Sequence, residues 1–311
     1  MSIMQAIHVH SYGDVDQLHL EQIAQPEPQE GEVLVHVHAV GVNSLDWKIR
    51  SGSLKSVMPS TFPYVPGLEF AGVVERVGSG VTTFQLGQEV YGNTSGGAYA
   101  EYCLVPVQTV APKPTALSFD EAATIPVGAI TAWQALFNAG QLQAGQRVLL
   151  LGGAGGVGLF AVQFAASRGA HVIATTSTSN GEFVQALGAE TVIDYTRTRV
   201  EDEVRDMDVV LDLVGGEYTG SALVTLKRGG RLITTAGQPD EKKAQALGVH
   251  TEFFNAQLTS TADLLNTFAR MIDNGQLRTT IAATFPLSEA SKAHELSQRG
   301  HGRGRIVLHV A

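Results

Sequence analysis

Residues 147–166 read RVLLLGGAGGVGLFAVQFAA: an apolar run, a glycine-rich turn and a helical pattern follow one another without a break. The run at 148–151 carries no polar interruption, as expected of a parallel strand buried on both faces. Gly153, Gly155 and Gly158 then supply G-x-G-x-x-G, with Ala154, Gly156 and Val157 between them. A Cβ at such a turn would keep a pyrophosphate away from the backbone N–H groups, which is why glycine is wanted there. Val157, Ala161, Phe164 and Ala165 continue at helical spacing, so a helix begins at the glycines and points its positive end at the anion.

Glycine-rich turns also form for steric reasons alone. Here the strand before, the helix after and a second strand-like run, HVIATT at 171–176, complete a βαβ unit and favour dinucleotide binding. No charge lies between Arg147 and Arg168, which makes a membrane span the other reading of this stretch. A span needs about 20 predominantly apolar residues in one helical run, and the glycines break that periodicity.

A chain of 311 residues is long enough for two domains, and a hydrophobic fraction of 44% provides a sizeable core. The formal net charge of −9 disfavours nucleic acid and anionic membranes as partners, and small molecules fit better. Cys103 is the only cysteine, so neither a disulfide framework nor a cysteine-rich zinc site can form within one chain. A buried small residue is favoured for it over a reactive thiol. The opening MSIMQAIHVHSYG lacks a basic region followed by an apolar stretch, so a cytoplasmic enzyme without a secretory signal is expected.

Outward from the glycines, residues 1 to 120 read as short strands separated by PEPQEG, SGSG and NTSGG, which implies a mostly β domain. His36 and His38 alternate with apolar neighbours and are expected to share one solvated strand face rather than hold a metal. From Phe119 helical segments alternate with apolar strands at 147–151, 171–176, 191–195, 208–214, 231–237 and 250–257, as suits a doubly wound sheet. After Leu258 come a helical stretch, a second helix capped by Ser288 and a final strand that returns to the first domain. The expected partition is 1–120 plus 259–311 for one domain and 121–258 for the other.

In a dinucleotide fold the end of the second strand meets the adenosine ribose, where a carboxylate accepts the 2′-OH of NAD. Here that tip reads Thr175, Thr176, Ser177, Thr178, Ser179. Hydroxyl donors without an acid suit a 2′-phosphate, so NADPH is favoured over NADH; a polar loop with no phosphate role is the alternative.

Together these blocks resemble the medium-chain dehydrogenase/reductase superfamily, and within it the zinc-independent quinone oxidoreductase and enone reductase branch. The resemblance rests on AVGVNSLDWKIRSG, VPGLEFAGVVERVGSGV, GGAYAEY, PVGAITAWQAL, GGAGGVG, ALGAETVIDY and FPLSEASKAHELSQRGHGRGRIVL, in family order over nearly the whole chain. It implies an α/β fold in which a doubly wound Rossmann domain is inserted in a GroES-like, partly closed β-barrel domain, with the active site in the cleft between them. It also implies a homodimer. Where the zinc enzymes of the superfamily carry a metal-binding Cys and a G-H-E, this chain has Asn43 and Gly67-Leu68-Glu69, so no metal is expected. Carried over residue by residue, Asn43 and Thr131 look like nicotinamide-side contacts, and Gly155, Gly156 and Val157 like pyrophosphate contacts. Ser177 and Tyr195 sit near the adenosine phosphate. Val214 and the segment Thr235, Ala236, Gly237 resemble the loops that border the ribose and nicotinamide. Some enone reductases of this branch have a tyrosine where this chain has Leu68; Tyr64 is a stand-in, or an aromatic rim residue.

Without a Lewis-acid metal, hydride from a dihydronicotinamide needs a conjugated acceptor such as a quinone or an α,β-unsaturated carbonyl, whose oxygen takes up the charge. Lys48 in LDWK is the candidate donor to that oxygen; a solvated surface charge near Asp46 is its alternative. The function expected is NADPH-dependent reduction of a quinone or enone. Reduction of an enoyl thioester, and a non-catalytic NADPH-binding structural or RNA-associated role, are the competing readings, the last disfavoured by the acidic charge.

Overall fold

The computed structural model describes residues 2–300 and 302–311; His301, inside the last of the blocks above, lies outside them. In chain order the strands and first helices are β1 (Ile3–His8), β2 (His19–Ala24), β3 (Glu32–Val42), α1 (Ser44–Arg50), β4 (Glu69–Val77), β5 (Glu89–Asn93), β6 (Tyr102–Pro106), β7 (Val110–Pro112), α2 (Phe119–Ala122) and α3 (Pro126–Trp133). They continue with β8 (Arg147–Leu151), α4 (Gly158–Ser167), β9 (His171–Thr176), β10 (Thr191–Asp194), β11 (Met207–Asp212), β12 (Leu226–Thr234), β13 (His250–Phe253), β14 (Ile281–Pro286) and β15 (Arg305–His309). Two compact units result, 1–127 with 257–311, and 128–256.

The first unit is built on β3. At eleven residues it is long enough to pair antiparallel with β6 through its first half, with β15 through its second half, and with β4 along most of its length. The full sheet runs β14-β15-β3-β4-β5-β7 with β6 on β3, while β1 and β2 form a separate antiparallel ribbon. Val33, Val35, Val37, Phe70, Tyr99 and Leu308 fill the core, and Cys103 is buried among them with its thiol pushed up by burial. His36 and His38 share a face: their rings lie 5.1 Å apart, His36 stacked on its register partner Tyr102 and His38 on Phe119. The helix Ala262–Asp273 buries Leu265, Phe268 and Ile272, the amphipathic stripe its sequence carries. Ser288 does not cap the following helix. Pro286 opens a 3₁₀ turn over Leu287–Glu289, which takes up Ser288, and the helix Ala290–Arg299 starts behind Glu289 without a side-chain cap.

The second unit is a parallel six-stranded sheet in the order β10-β9-β8-β11-β12-β13, the doubly wound arrangement, which places the glycine-rich turn beside the reversal of strand order at β8. Strands β8 and β9 fall where the apolar runs place them. Strand β11 ends at Asp212, two residues early, because the Asp212 carboxylate takes the N–H groups of Val214 and Gly215 and turns the chain out of the sheet. Strand β12 begins at Leu226, ahead of its apolar part, with a register irregularity against β11. The stretch 147–166 is strand, turn and ten-residue helix, and among the described residues no helix is long and apolar enough to cross a membrane.

Candidate active site

Each unit carries a cluster of functional character. In the second unit the glycine-rich turn leaves the C-terminal end of β8 and is tied to β9, with Gly153 N–H donating to Thr175 O at 2.9 Å and Gly152 N–H to the Thr175 hydroxyl at 3.1 Å. Gly158 opens α4 so tightly over the turn that a Cβ would strike Gly152 O and Gly153 Cα. The N-cap residue Val157 contributes no capping side chain. Leu159 N–H bonds Gly155 O and the Phe160 and Ala161 N–H groups bond Val157 O, so the N–H groups left to an anion are those of Gly156, Val157 and Gly158, at the positive end of the helix.

Other loops converge on this turn. A Cβ on Gly152 would lie 3.1 Å from Val214 Cγ2, and one on Gly215, at φ +82°, 2.6 Å from Ala236 O. Val214 thus borders the glycine-rich turn, and Ala236 of the Thr235–Ala236–Gly237 loop borders Gly215 beside it. Asp212 holds them there: its carboxylate accepts from Val214 N–H and Gly215 N–H, each at 2.9 Å, and from the Thr219 hydroxyl. Helix α3 also meets the turn, because a Cβ on Gly128 would be 2.6 Å from Gly156 O; Thr131 lies three residues further along that helix. Asp212 was not among the residues singled out from sequence; Thr175 was, as a hydroxyl of the strand tip, and the structure turns its hydroxyl to the Gly152 N–H instead. The readable signal for Asp212 is an acid that ends a buried strand just ahead of two glycines.

At the strand tips, Thr176 is buried, and the Ser177 hydroxyl accepts from Asn180 Nδ2 at 3.2 Å with Ser179 Oγ 3.3 Å away. Asp194, at the end of neighbouring β10, accepts from the Thr178 and Thr196 hydroxyls, which hold its carboxyl below the usual range. Tyr195, next to it, sets its ring edge-on to Tyr218.

In the first unit Glu69 of β4 is fully buried. Its Oε1 accepts from Asn43 Nδ2 at 2.9 Å and from Arg305, and its Oε2 accepts the Val127 N–H at 2.7 Å. Arg305 Nη2 also donates to Asn43 Oδ1 at 3.0 Å, so both ends of the Asn43 amide are used. Asn43 precedes α1, and Asp46 in its first turn accepts the Asn43 N–H at 2.8 Å and the Tyr99 hydroxyl at 3.2 Å. Burial pushes the Asp46 carboxyl up to about 7, with nearby Glu69 adding to the effect. Beyond Tyr99 stands His294, whose Nδ1 accepts from Arg50 Nε at 3.3 Å. Its Nε2 therefore carries the ring proton, toward the Tyr99 hydroxyl at 3.1 Å. Burial pushes the His294 imidazole down to about 3.

This donor set does not fit zinc. Glu69, the one ligand type that survives from the metal-binding pattern, is neutralised by Arg305; Asn43 is engaged at both ends; and Leu68 offers no donor atom. The remaining candidates gather around α1. Buried Tyr64 OH, Trp47 Nε1 and Arg50 Nη2 have no hydrogen-bond partner, and burial raises the Tyr64 hydroxyl to about 12. An orphaned buried polar atom costs about 1–3 kcal/mol, which a bound polar group relieves. Lys48 is half-buried with its ammonium 5.6 Å from the Trp47 ring centroid, while the Asp46 carboxylate is taken by Asn43 and Tyr99.

Comparison with known proteins gives the family. The family described as alcohol dehydrogenase GroES-like domain matches residues 29–115, and that described as zinc-binding dehydrogenase matches residues 187–308. The chain is 33% identical to a quinone oxidoreductase of Mus musculus over 98% of both chains. It is 36% identical to a 2-methylene-furan-3-one reductase of Solanum lycopersicum, over 99% of this chain and 79% of the relative. Among solved structures it superposes on the quinone oxidoreductase from Coxiella burnetii with a TM-score of 0.91 at 33% identity, each chain covered completely.

Proposed function

The chain belongs to the quinone oxidoreductase and enone reductase branch of the medium-chain dehydrogenase/reductase superfamily, and from that premise we propose that it reduces a quinone or an α,β-unsaturated carbonyl with NADPH. The observation that carries this reading is the neutralised Glu69. With Arg305 and Asn43 spent on it, the Glu69 cluster offers no free carboxylate for a Lewis-acid metal, so the acceptor must itself delocalise the incoming charge.

The dinucleotide, when bound, supplies the hydride. The N–H groups at the start of α4 hold its pyrophosphate, and the absence of a capping side chain at Val157 supports that role. Val214 and the Thr235–Gly237 loop border its ribose and nicotinamide, and Thr131 lines the nicotinamide side. Ser177 and its hydroxyl neighbours take the 2′-phosphate. Lys48 donates to the acceptor oxygen as charge builds there, and the orphaned Tyr64 hydroxyl is a second donor within the same unit.

Asp194 favours a second reading of the cofactor. Its carboxylate, bonded to Thr178, faces the serine-rich tip from the next strand and would repel a 2′-phosphate, which suits NADH. The test is consumption of NADPH and of NADH, each with 1,4-benzoquinone, a simple enone and an enoyl thioester as sole acceptor. Turnover of quinone or enone with NADPH is expected; turnover of the thioester alone, or of nothing, overturns the reading.

A further inference from the structure

We propose that His8, His10 and Glu21, on one face of the β1–β2 ribbon, form a surface site for a divalent transition-metal ion of the zinc type. His8 and His10 stand two residues apart, so both side chains leave the same side of the chain. The antiparallel register sets His8 opposite His19 and Ala6 opposite Glu21, which brings the carboxylate of the second strand to that same face. Glu21 Oε2 lies 2.9 Å from His8 Nδ1 and Oε1 lies 2.8 Å from His10 Nε2, and the three ligand atoms fall within 4.8 Å of one another.

The backbone beneath the two imidazoles is held on both sides. His8 is paired with β2, and Val9, between the histidines, exchanges both backbone hydrogen bonds with Tyr64, at 2.9 and 3.1 Å. The ligands are thus fixed before any ion arrives. The carboxylate accepts a hydrogen bond from each ring; a cation takes the place of those N–H groups when each imidazole moves its proton to the nitrogen facing away. Zinc bonds of about 2.0–2.2 Å to N and O need only a small opening of the present contacts. Two imidazoles and a carboxylate make a borderline donor set, suited to Zn²⁺, Co²⁺ or Ni²⁺ rather than to Mg²⁺ or Ca²⁺. Three protein ligands leave a position for water or for His19, whose ring centroid is 5.7 Å from that of His10. None of these side chains takes part in the Glu69 network, so the site is independent of the proposed reaction.

The experiment is calorimetric titration of the untagged, chelator-treated protein with ZnCl₂. One saturable site per chain is expected in the wild type and none in His10→Ala or Glu21→Gln, while a His36→Ala/His38→Ala control retains it. With Co²⁺ the wild type should show visible d–d bands without a thiolate charge-transfer band, which separates the site from Cys103. Zn²⁺ should raise the melting temperature of the wild type but not of the two variants, whose own melting curves report that they are folded. A wild type with no saturable site, or binding that survives in either variant, overturns the proposal.

Discussion

Arg305 on β15 and Glu69 on β4 stand 236 residues apart in sequence and meet as a buried ion pair, bracketed by the two ends of the Asn43 amide. Removing one partner of such a pair leaves an uncompensated buried charge and costs about 3–5 kcal/mol. Arg305→Met should therefore lower the urea midpoint strongly, and Arg305→Met/Glu69→Leu should recover much of the loss because no charge is left behind. A double variant no more stable than Arg305→Met would show that the pair is not what matters there.

The same pair leaves nothing for zinc. Elemental analysis after dialysis against a chelator should find far less than one zinc per chain, in the wild type and in Glu21→Gln alike. A stoichiometric zinc that persists in chelator-treated Glu21→Gln would place a metal at the buried cluster and refute the reading of Asn43 and Leu68.

Two buried groups in this unit titrate in opposite senses. Asp46, raised from 3.8 to about 7, keeps its proton in the folded state where the unfolded chain has lost it, so its contribution to stability falls as pH rises from about 4 to 7. His294, lowered from 6.5 to about 3, stays neutral in the folded state where the unfolded chain is charged, so stability rises with pH across about 3 to 6.5. Each contribution is on the order of a few kcal/mol. In Asp46→Asn the falling contribution of Asp46 is removed while the histidine slope remains, and its melting temperature should climb more steeply with pH than that of the wild type between about pH 4 and 6.5. Parallel curves for the two proteins would contradict the assignment of Asp46.

Cofactor choice is tested at Ser177. In Ser177→Asp a carboxylate faces the 2′-phosphate and a donor is lost, so NADPH binding should weaken by roughly tenfold or more while NADH binding changes little. Fluorescence titration with both nucleotides decides it. Equal losses would mean that Ser177 does not face the ribose.

Much of the second unit is legible because its signals are local. The apolar runs that become β8 and β9 and the glycines between β8 and α4 need only their neighbours to be read. The end of β11 depends on a side chain, Asp212, that folds back on its own backbone, and the start of β12 lies in the polar run LKRGG, which carries no strand period. In the first unit the decisive contacts are long-range. Nothing in the neighbourhood of Asn43 announces Arg305, and nothing near His8 announces Glu21 until the β1–β2 register is known. Lys48 is a case of its own: its sequence block identifies it, yet its role depends on a bound acceptor.

That role is to stabilise negative charge on the acceptor oxygen, so losing Lys48 should act on the rate rather than on cofactor binding. The structure leaves Lys48 half-buried with its ammonium 5.6 Å from the Trp47 ring centroid and gives the neighbouring Asp46 other partners, so the charge is not spent on an ion pair within its own helix. Removing one donor from a preorganised site typically costs about 10²-fold in kcat, which is the loss expected for an enone in Lys48→Ala, with NADPH affinity nearly unchanged. A quinone should suffer less, because its product is an aromatic hydroquinone anion that needs less help from a cation. Tyr64→Phe separates the two donors: if the Tyr64 hydroxyl is the principal one, the enone rate falls in Tyr64→Phe and holds in Lys48→Ala. The measurement is kcat at saturating NADPH for one enone and one quinone, beside a fluorescence titration of the cofactor. Full enone activity in Lys48→Ala, or a loss of NADPH binding in proportion to the rate, would remove Lys48 from the chemistry.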